Sequence, residues 1–179
     1  MFAKIAVITT LFLFCFHHAQ ALTLSSNDIA EGQPLNNTFV YKGFGCDGKN
    51  QSPQLAWSDV PKDTQSFALT VHDPDAPTDS GWWHWIVINI PKDVRELSKD
   101  ASTSGKLASK STHLRNDFGD HHYGGACPPA GEVHRYKFTL YALPVKNLNI
   151  GANASAAMAS FVVKSKALQS SSITAIYTR

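Results

Sequence analysis

Apolar and polar residues alternate along several stretches of the chain with the two-residue period of a strand that buries one face. From Ser66 to His72, Phe67, Leu69 and Val71 share one face while Ala68, Thr70 and His72 share the other, and Asp73 then falls on the apolar face. Ile86 to Ile90 is nearly all apolar and rich in β-branched residues, which reads as a strand covered on both sides and ended by Pro91. His84 shares parity with Ile86, Ile88 and Ile90. From His134 to Leu143 the alternation returns, with His134, Tyr136, Phe138 and Leu140 on one face, so His134 is expected to turn inward. Thr38 to Lys42, Gln54 to Trp57 and Ser172 to Thr178 read as further strands. Asn153 to Gln169 carries the one convincing helical pattern, with Met158, Phe161, Val162 and Leu168 as its apolar stripe. Strands that follow one another through Gly- and Pro-containing turns predict a mainly β fold, an antiparallel sandwich with one late helix packed beside it.

The N-terminus changes the picture of where this fold works. Lys4 precedes an apolar run from Ile5 to Phe16, and Ala19-Gln20-Ala21 supplies a small-x-small cleavage site. Residues 1–21 therefore read as a signal peptide cleaved after Ala21, because the run falls short of the ~17 residues a spanning helix needs. An uncleaved membrane anchor is the alternative. No comparable run follows, so residues 22–179 are expected to form a single domain, periplasmic or secreted, with no stable membrane insertion. Of the three cysteines, Cys15 lies in the removed segment and leaves Cys46 and Cys127 as an even pair in an oxidising compartment. They are expected to bond to each other, the alternative being two separate thiols. A net charge of +2 and 17% charged residues, with Lys and Arg scattered, argue against a nucleic-acid partner. Ser98 to Thr112, rich in Ser, Lys and small residues, reads as an exposed loop, and His121 and His122 as solvent-facing.

Candidate chemistry gathers in two stretches. Asp73-Pro74-Asp75-Ala76-Pro77 runs on to Trp82-Trp83-His84-Trp85, and Cys127-Pro128-Pro129 runs on to His134-Arg135-Tyr136. Each sets an ionisable side chain at the mouth of an apolar strand beside Pro-stiffened turns, so together they predict one anion pocket. Two imidazoles and the N–H groups of the Gly124-Gly125 loop are the expected donors. Asp73 beside an anion makes sense if it orients an imidazole and favours its charged form. Asp75 has a competing structural reading, capping local N–H groups or pairing with Arg135, and the tryptophans read as packing. The rival class is a metal-assisted or acid–base hydrolase in which Asp73, His84 and His134 bind zinc. No His-Glu-x-x-His helix, Cys-x-x-Cys pair, Gly-x-Ser-x-Gly elbow or phosphate loop is present, so neither catalysis, a metal nor a cofactor is expected.

The string from Asp73 through Pro91, with Tyr123-Gly124-Gly125-Ala126-Cys127-Pro128-Pro129 and His134-Arg135-Tyr136-Lys137-Phe138, resembles the phosphatidylethanolamine-binding protein family. Gly43-Phe44-Gly45-Cys46, Ser52-Pro53 and Arg115-Asn116-Asp117-Phe118-Gly119 are similar to segments of its bacterial Raf-kinase-inhibitor-like branch. The resemblance implies a β-sandwich with Greek-key connections and a small cavity that takes up phosphate, phosphomonoesters or phospholipid head groups. By motif, Asp73, Asp75, His84, Cys127, Pro128, Pro129 and His134 line it. Eukaryotic relatives carry His-His where this chain has Trp83-His84, and Gly in place of Cys127, which alters the wall and leaves the ligand's identity open. The resemblance also makes a homodimer plausible, as well as a third class of function, an extracytoplasmic modulator of an unknown protein partner. A chain routed out of the cytosol does not meet its own cell's kinases, so the branch's name carries no activity over.

Overall fold

The computed structural model describes residues 21–179; the signal-peptide reading and Cys15 lie outside the described residues, apart from Ala21. In chain order come β1 (Thr23–Ser25), a 3-10 turn (Asn37–Phe39), β2 (Lys42–Gly43), β3 (Cys46–Asp47), β4 (Leu55–Ser58) and β5 (Ser66–Asp73). They are followed by β6 (Trp82–Pro91), β7 (Glu96–Leu97), β8 (Thr112–His113), β9 (Val133–Leu143), α1 (Ala156–Lys166) and β10 (Gln169–Thr178). The larger sheet has the order β10-β9-β5-β6-β8, the smaller β1-β4-β7, and β2 and β3 pair as a hairpin. All the pairings between strands in these sheets are antiparallel. Within the larger sheet, β9 returns to lie beside β5 after β6 and β8 have been laid down on the other side. That is the spatial order of a Greek key.

Alternation along β5 and β9 explains the layering. Phe67, Leu69 and Val71 meet Phe138 and Leu140 in the core between the sheets, closed from the smaller sheet by Leu55 and Trp57. The opposite face of the larger sheet is covered too: Ala68, Ile86, Ile88, Tyr141 and Leu143 pack beneath Ala156, Ala159 and Val163 of α1. Each large apolar side chain buried this way contributes about 1.5–3 kcal/mol. Ser155 caps α1, its Oγ accepting from Met158 N at 3.2 Å.

Several sequence expectations need correction. The helix is shorter than Asn153–Gln169 and shows the sheet its small residues, Ala156, Ala159, Ser160 and Val163. Met158 and Phe161 are exposed by 54% and 73%, and Leu168 by 41%, so the expected stripe faces mainly outward. Small side chains let the helix sit close over the bulky residues of β6 and β9. Thr38–Lys42 is not one strand: the Asn36 side chain accepts from Thr38 N and folds a 3-10 turn over Asn37–Phe39, Val40 makes only an isolated bridge to Ala126, and Lys42 opens β2. Residues 98–112 are only partly exposed: Ala101 and Ser102 are buried, and Ser102 Oγ accepts from Tyr123 N at 2.6 Å. Cys46 and Cys127 form the expected disulfide across a sequence separation of 81. Among the described residues no helix is long and apolar enough to cross a membrane.

Candidate functional site

His84 reaches the site through an irregularity in the sheet. Val71 on β5 pairs with Trp85 of β6, but His72 pairs with Trp83, so His84 is the extra residue of a bulge. Simple parity would group it with Ile86 and Ile88, which lie under α1, whereas the bulge turns it toward the pocket. Its ring is 4% exposed. Nδ1 lies 2.8 Å from the carbonyl of Gly124 and 3.1 Å from that of Gly125, so it donates. Nε2 has no hydrogen-bond partner among the described residues. Burial depresses the ring's pKa to about 4, against the opposing pull of the Gly124 bond and the Asp73 charge. His84 is therefore neutral above pH 5.

The second histidine is the reverse case. His134, at the start of β9, donates from Nδ1 to Asp73 Oδ2 at 2.7 Å, and both residues are almost wholly buried. Its Nε2 lies 2.9 Å from Glu132 Oε2, a carboxylate whose side chain is 52% exposed. Burial alone would lower the pKa of His134, but the hydrogen bonds to Glu132 and Asp73 and their charges outweigh it, so the pKa is raised. Asp73 orients the ring and stands beside its cationic form. Its other oxygen accepts from Asp75 N at 2.8 Å, which fixes the Asp-Pro-Asp turn.

A cavity of about 170 Å³ opens where these strands meet. Asp73, His84, His134 and Tyr136 form its buried wall, and among the described residues nothing accepts a hydrogen from Tyr136 Oη, on which the Cys127 backbone acts as a distant donor. Cys127, Pro128 and Pro129 make one side. Phe44, Trp82, Phe118, Ala76 and Pro77 complete an apolar rim. Phe44 is held at φ 52° in the β2–β3 hairpin, which the disulfide fastens to the pocket wall at Cys127. A ring stack of Tyr41 on Phe118 at 4.4 Å backs it.

The Gly-Gly loop has a role different from the one expected. Gly124 N donates to His84 O and Gly125 N to Asn50 Oδ1, so neither N–H is free for an anion. The loop offers its carbonyls to His84 instead. A Cβ on Gly125 would collide with the backbone of Phe39, Val40 and Tyr41, and one on Gly124 with the Phe118 ring, which accounts for both glycines. Asn116 ties the same region down, donating to His84 O and His122 O.

Of the residues assigned to the pocket from sequence, Asp73, His84, Cys127, Pro128, Pro129 and His134 come together. Asp75 does not: it stands outside the lining and pairs bidentately with Arg135, at 2.9 and 2.6 Å. Its carboxyl pKa is lowered, chiefly by the Arg135 hydrogen bond. The zinc arrangement is absent as well. His134 spends both nitrogens on carboxylates, and among the described residues no three His, Cys, Asp or Glu side chains are placed to hold a metal. Sequence reasoning missed Tyr136 and Glu132, although Tyr136 shares a strand face with His134, and it missed the Phe44, Trp82 and Phe118 rim.

A family model described as phosphatidylethanolamine-binding protein matches residues 25–178, and the chain belongs to that family. Within it the chain falls in the UPF0098 branch. It is 42% identical to the YbcL protein of Escherichia coli over 97% of this chain and 98% of the relative. To the YbhB protein of the same organism it is 48% identical over 88% of this chain and all of the relative. The crystal structure of Escherichia coli YbcL, described as a new member of the mammalian PEBP family, superposes with a TM-score of 0.86 at 43% identity, covering 88% of this chain and 98% of that one. A putative homologue from Chlamydia trachomatis gives 0.74 at 28% identity, covering 89% and 99%.

Proposed function

We propose that this protein is a periplasmic or secreted binding protein that takes a small anionic head group, of the phosphate or phosphomonoester type, into this pocket without turning it over. The observation that carries the reading is His134, an imidazole with a raised pKa that buried Asp73 locks in place on the wall of an otherwise apolar-rimmed cavity. The cavity is smaller than the roughly 300–1,000 Å³ of drug-sized sites, so a head group fits better than a whole lipid. Glu132 already sets a carboxylate oxygen on the second nitrogen of His134, in a half-exposed position where a ligand oxygen could replace it. Binding without turnover is supported by the commitment of Asp73 and His134 to each other. The disulfide supports an extracytoplasmic location.

Calorimetric titration with phosphoethanolamine tests the reading. Glu132→Gln removes the built-in competitor and should tighten binding roughly fivefold, about 1 kcal/mol for a half-exposed charge-assisted bond. His134→Asn should abolish it. Because the His134 pKa is raised, the part of the wild-type affinity that His134 supplies should reach to higher pH than an ordinary histidine would allow and be lost as pH climbs through that raised value. Unchanged affinity in both variants overturns the proposal.

A further inference from the structure

The pocket wall holds two buried polar atoms whose hydrogen-bonding capacity the described residues leave unused in whole or in part, His84 Nε2 and Tyr136 Oη. They do not make a simple anion hole. Nδ1 of His84 faces two backbone carbonyls, which only accept, so the ring proton sits there and Nε2 presents a bare lone pair. Tyr136, whose ring meets that of His84 edge-on at 5.1 Å, has its pKa raised by burial and pulled the other way by a Cys127 backbone hydrogen bond, which is an N–H aimed at Oη, so the hydrogen of its own O–H is still unspent. The wall thus pairs one acceptor with one donor.

We infer that the pocket selects a head group carrying a proton of its own, the monoprotonated phosphomonoester ROPO3H−, whose P–OH donates to His84 Nε2 while another phosphate oxygen accepts from Tyr136 Oη. This rests on the anion-pocket reading above and adds His84 as the residue that sets specificity. A sulfate ester has the same shape and charge but no proton, so it would press an oxygen lone pair against that of Nε2.

The groups around His84 leave this arrangement in place. On β5, the charge of Asp73 favours a second proton on the ring and that of His72 opposes it, but burial outweighs both. On β9, His134 has both nitrogens committed and Tyr136 is pushed above the ordinary tyrosine range by burial. In the loop facing β6, Asp117 accepts from Trp83 N, and Tyr123 donates to Phe39 O. None of these side chains supplies a hydrogen to His84 Nε2.

Methyl phosphate and methyl sulfate make a matched pair of probes, since at pH 5 both are monoanions and only the first keeps a proton, its second pKa being about 6. Calorimetry at pH 5 should show methyl phosphate bound about tenfold or more tightly than methyl sulfate, the penalty for a lost donor at a built acceptor. Above pH 6 its affinity should fall about tenfold per unit as the proton leaves. Protonation of His134 bears on both probes alike, so the ratio isolates His84. His84→Asn can keep a donor for the Gly124 and Gly125 carbonyls but is too short to reach the position of Nε2, so the acceptor there is lost together with the rest of the ring. With its thermal unfolding checked at pH 8, it should bind the two esters equally. If wild type already binds them equally, His84 does not select, and this inference is overturned while the anion pocket stands. If neither ester binds wild type, the pocket reading fails and this inference with it.

Discussion

His84 makes the stability of the fold depend on pH in a way that one substitution can isolate. In the folded chain its pKa is about 4, whereas an unfolded histidine titrates near 6.5. Between these values the unfolded state binds a proton that the folded state refuses, so stability is lost as pH falls through 6.5 toward 4. At 1.36 kcal/mol per unit, the loss relative to pH 8 reaches about 2 kcal/mol at pH 5 and approaches about 3 kcal/mol below pH 4. Asparagine at position 84 can keep the donation to the Gly124 and Gly125 carbonyls but cannot titrate. Whatever His84→Asn costs through its missing ring, it costs equally at both pH values. Urea unfolding of wild type and variant at pH 8 and pH 5 therefore reads the effect as a difference of differences. His113, also depressed to about 4 by burial, with His122 and His121 adding to it, is common to both chains and cancels. The variant should lose about 2 kcal/mol less than wild type between the two conditions. Equal losses would mean that the ring is charged in the fold, contrary to its two carbonyl partners and its burial.

Two further outcomes follow from the packing. Replacing Cys46 and Cys127 together with serine opens an 81-residue closure worth about 4.5 kcal/mol in the chain-entropy model; calorimetric melting should fall by about 10 °C or more. On α1, Ala159→Leu should cost about 1–3 kcal/mol in urea unfolding because that position is fully buried, whereas exposed Phe161→Ser should stay within about 0.5 kcal/mol. The opposite ranking would mean that the helix lies on its other face.

Sheet architecture was legible where side-chain period and burial agree. The alternation from Ser66 to Asp73 and from His134 to Leu143 located β5 and β9 almost to the residue and put Asp73 and His134 on one face, where they meet at 2.7 Å. Parity failed along β6, because two register shifts against β5 break a period of two, and one of them redirects His84. The helix was found but its buried face was not, since hydrophobicity drew attention to Met158 and Phe161 while contact with a sheet favoured alanines at helical spacing. The Gly124-Gly125 N–H groups looked like ligand partners and are instead used up by His84 O and Asn50, while Asp75, placed in the pocket by motif, makes the Arg135 pair that its residue chemistry favoured. Only the fold reveals which polar groups are already spent.

The place of β5 in its sheet has a consequence for a chain that emerges N-terminus first. Its neighbours are β6, which arrives within a few residues, and β9, which begins only at Val133. Until that segment is out, one flank of a strand with apolar residues on both sides waits with its peptide groups unclaimed. Another copy of Val133–Leu143, from a neighbouring newborn molecule, would fit the same flank, so crowding during synthesis favours exchange of this strand between molecules.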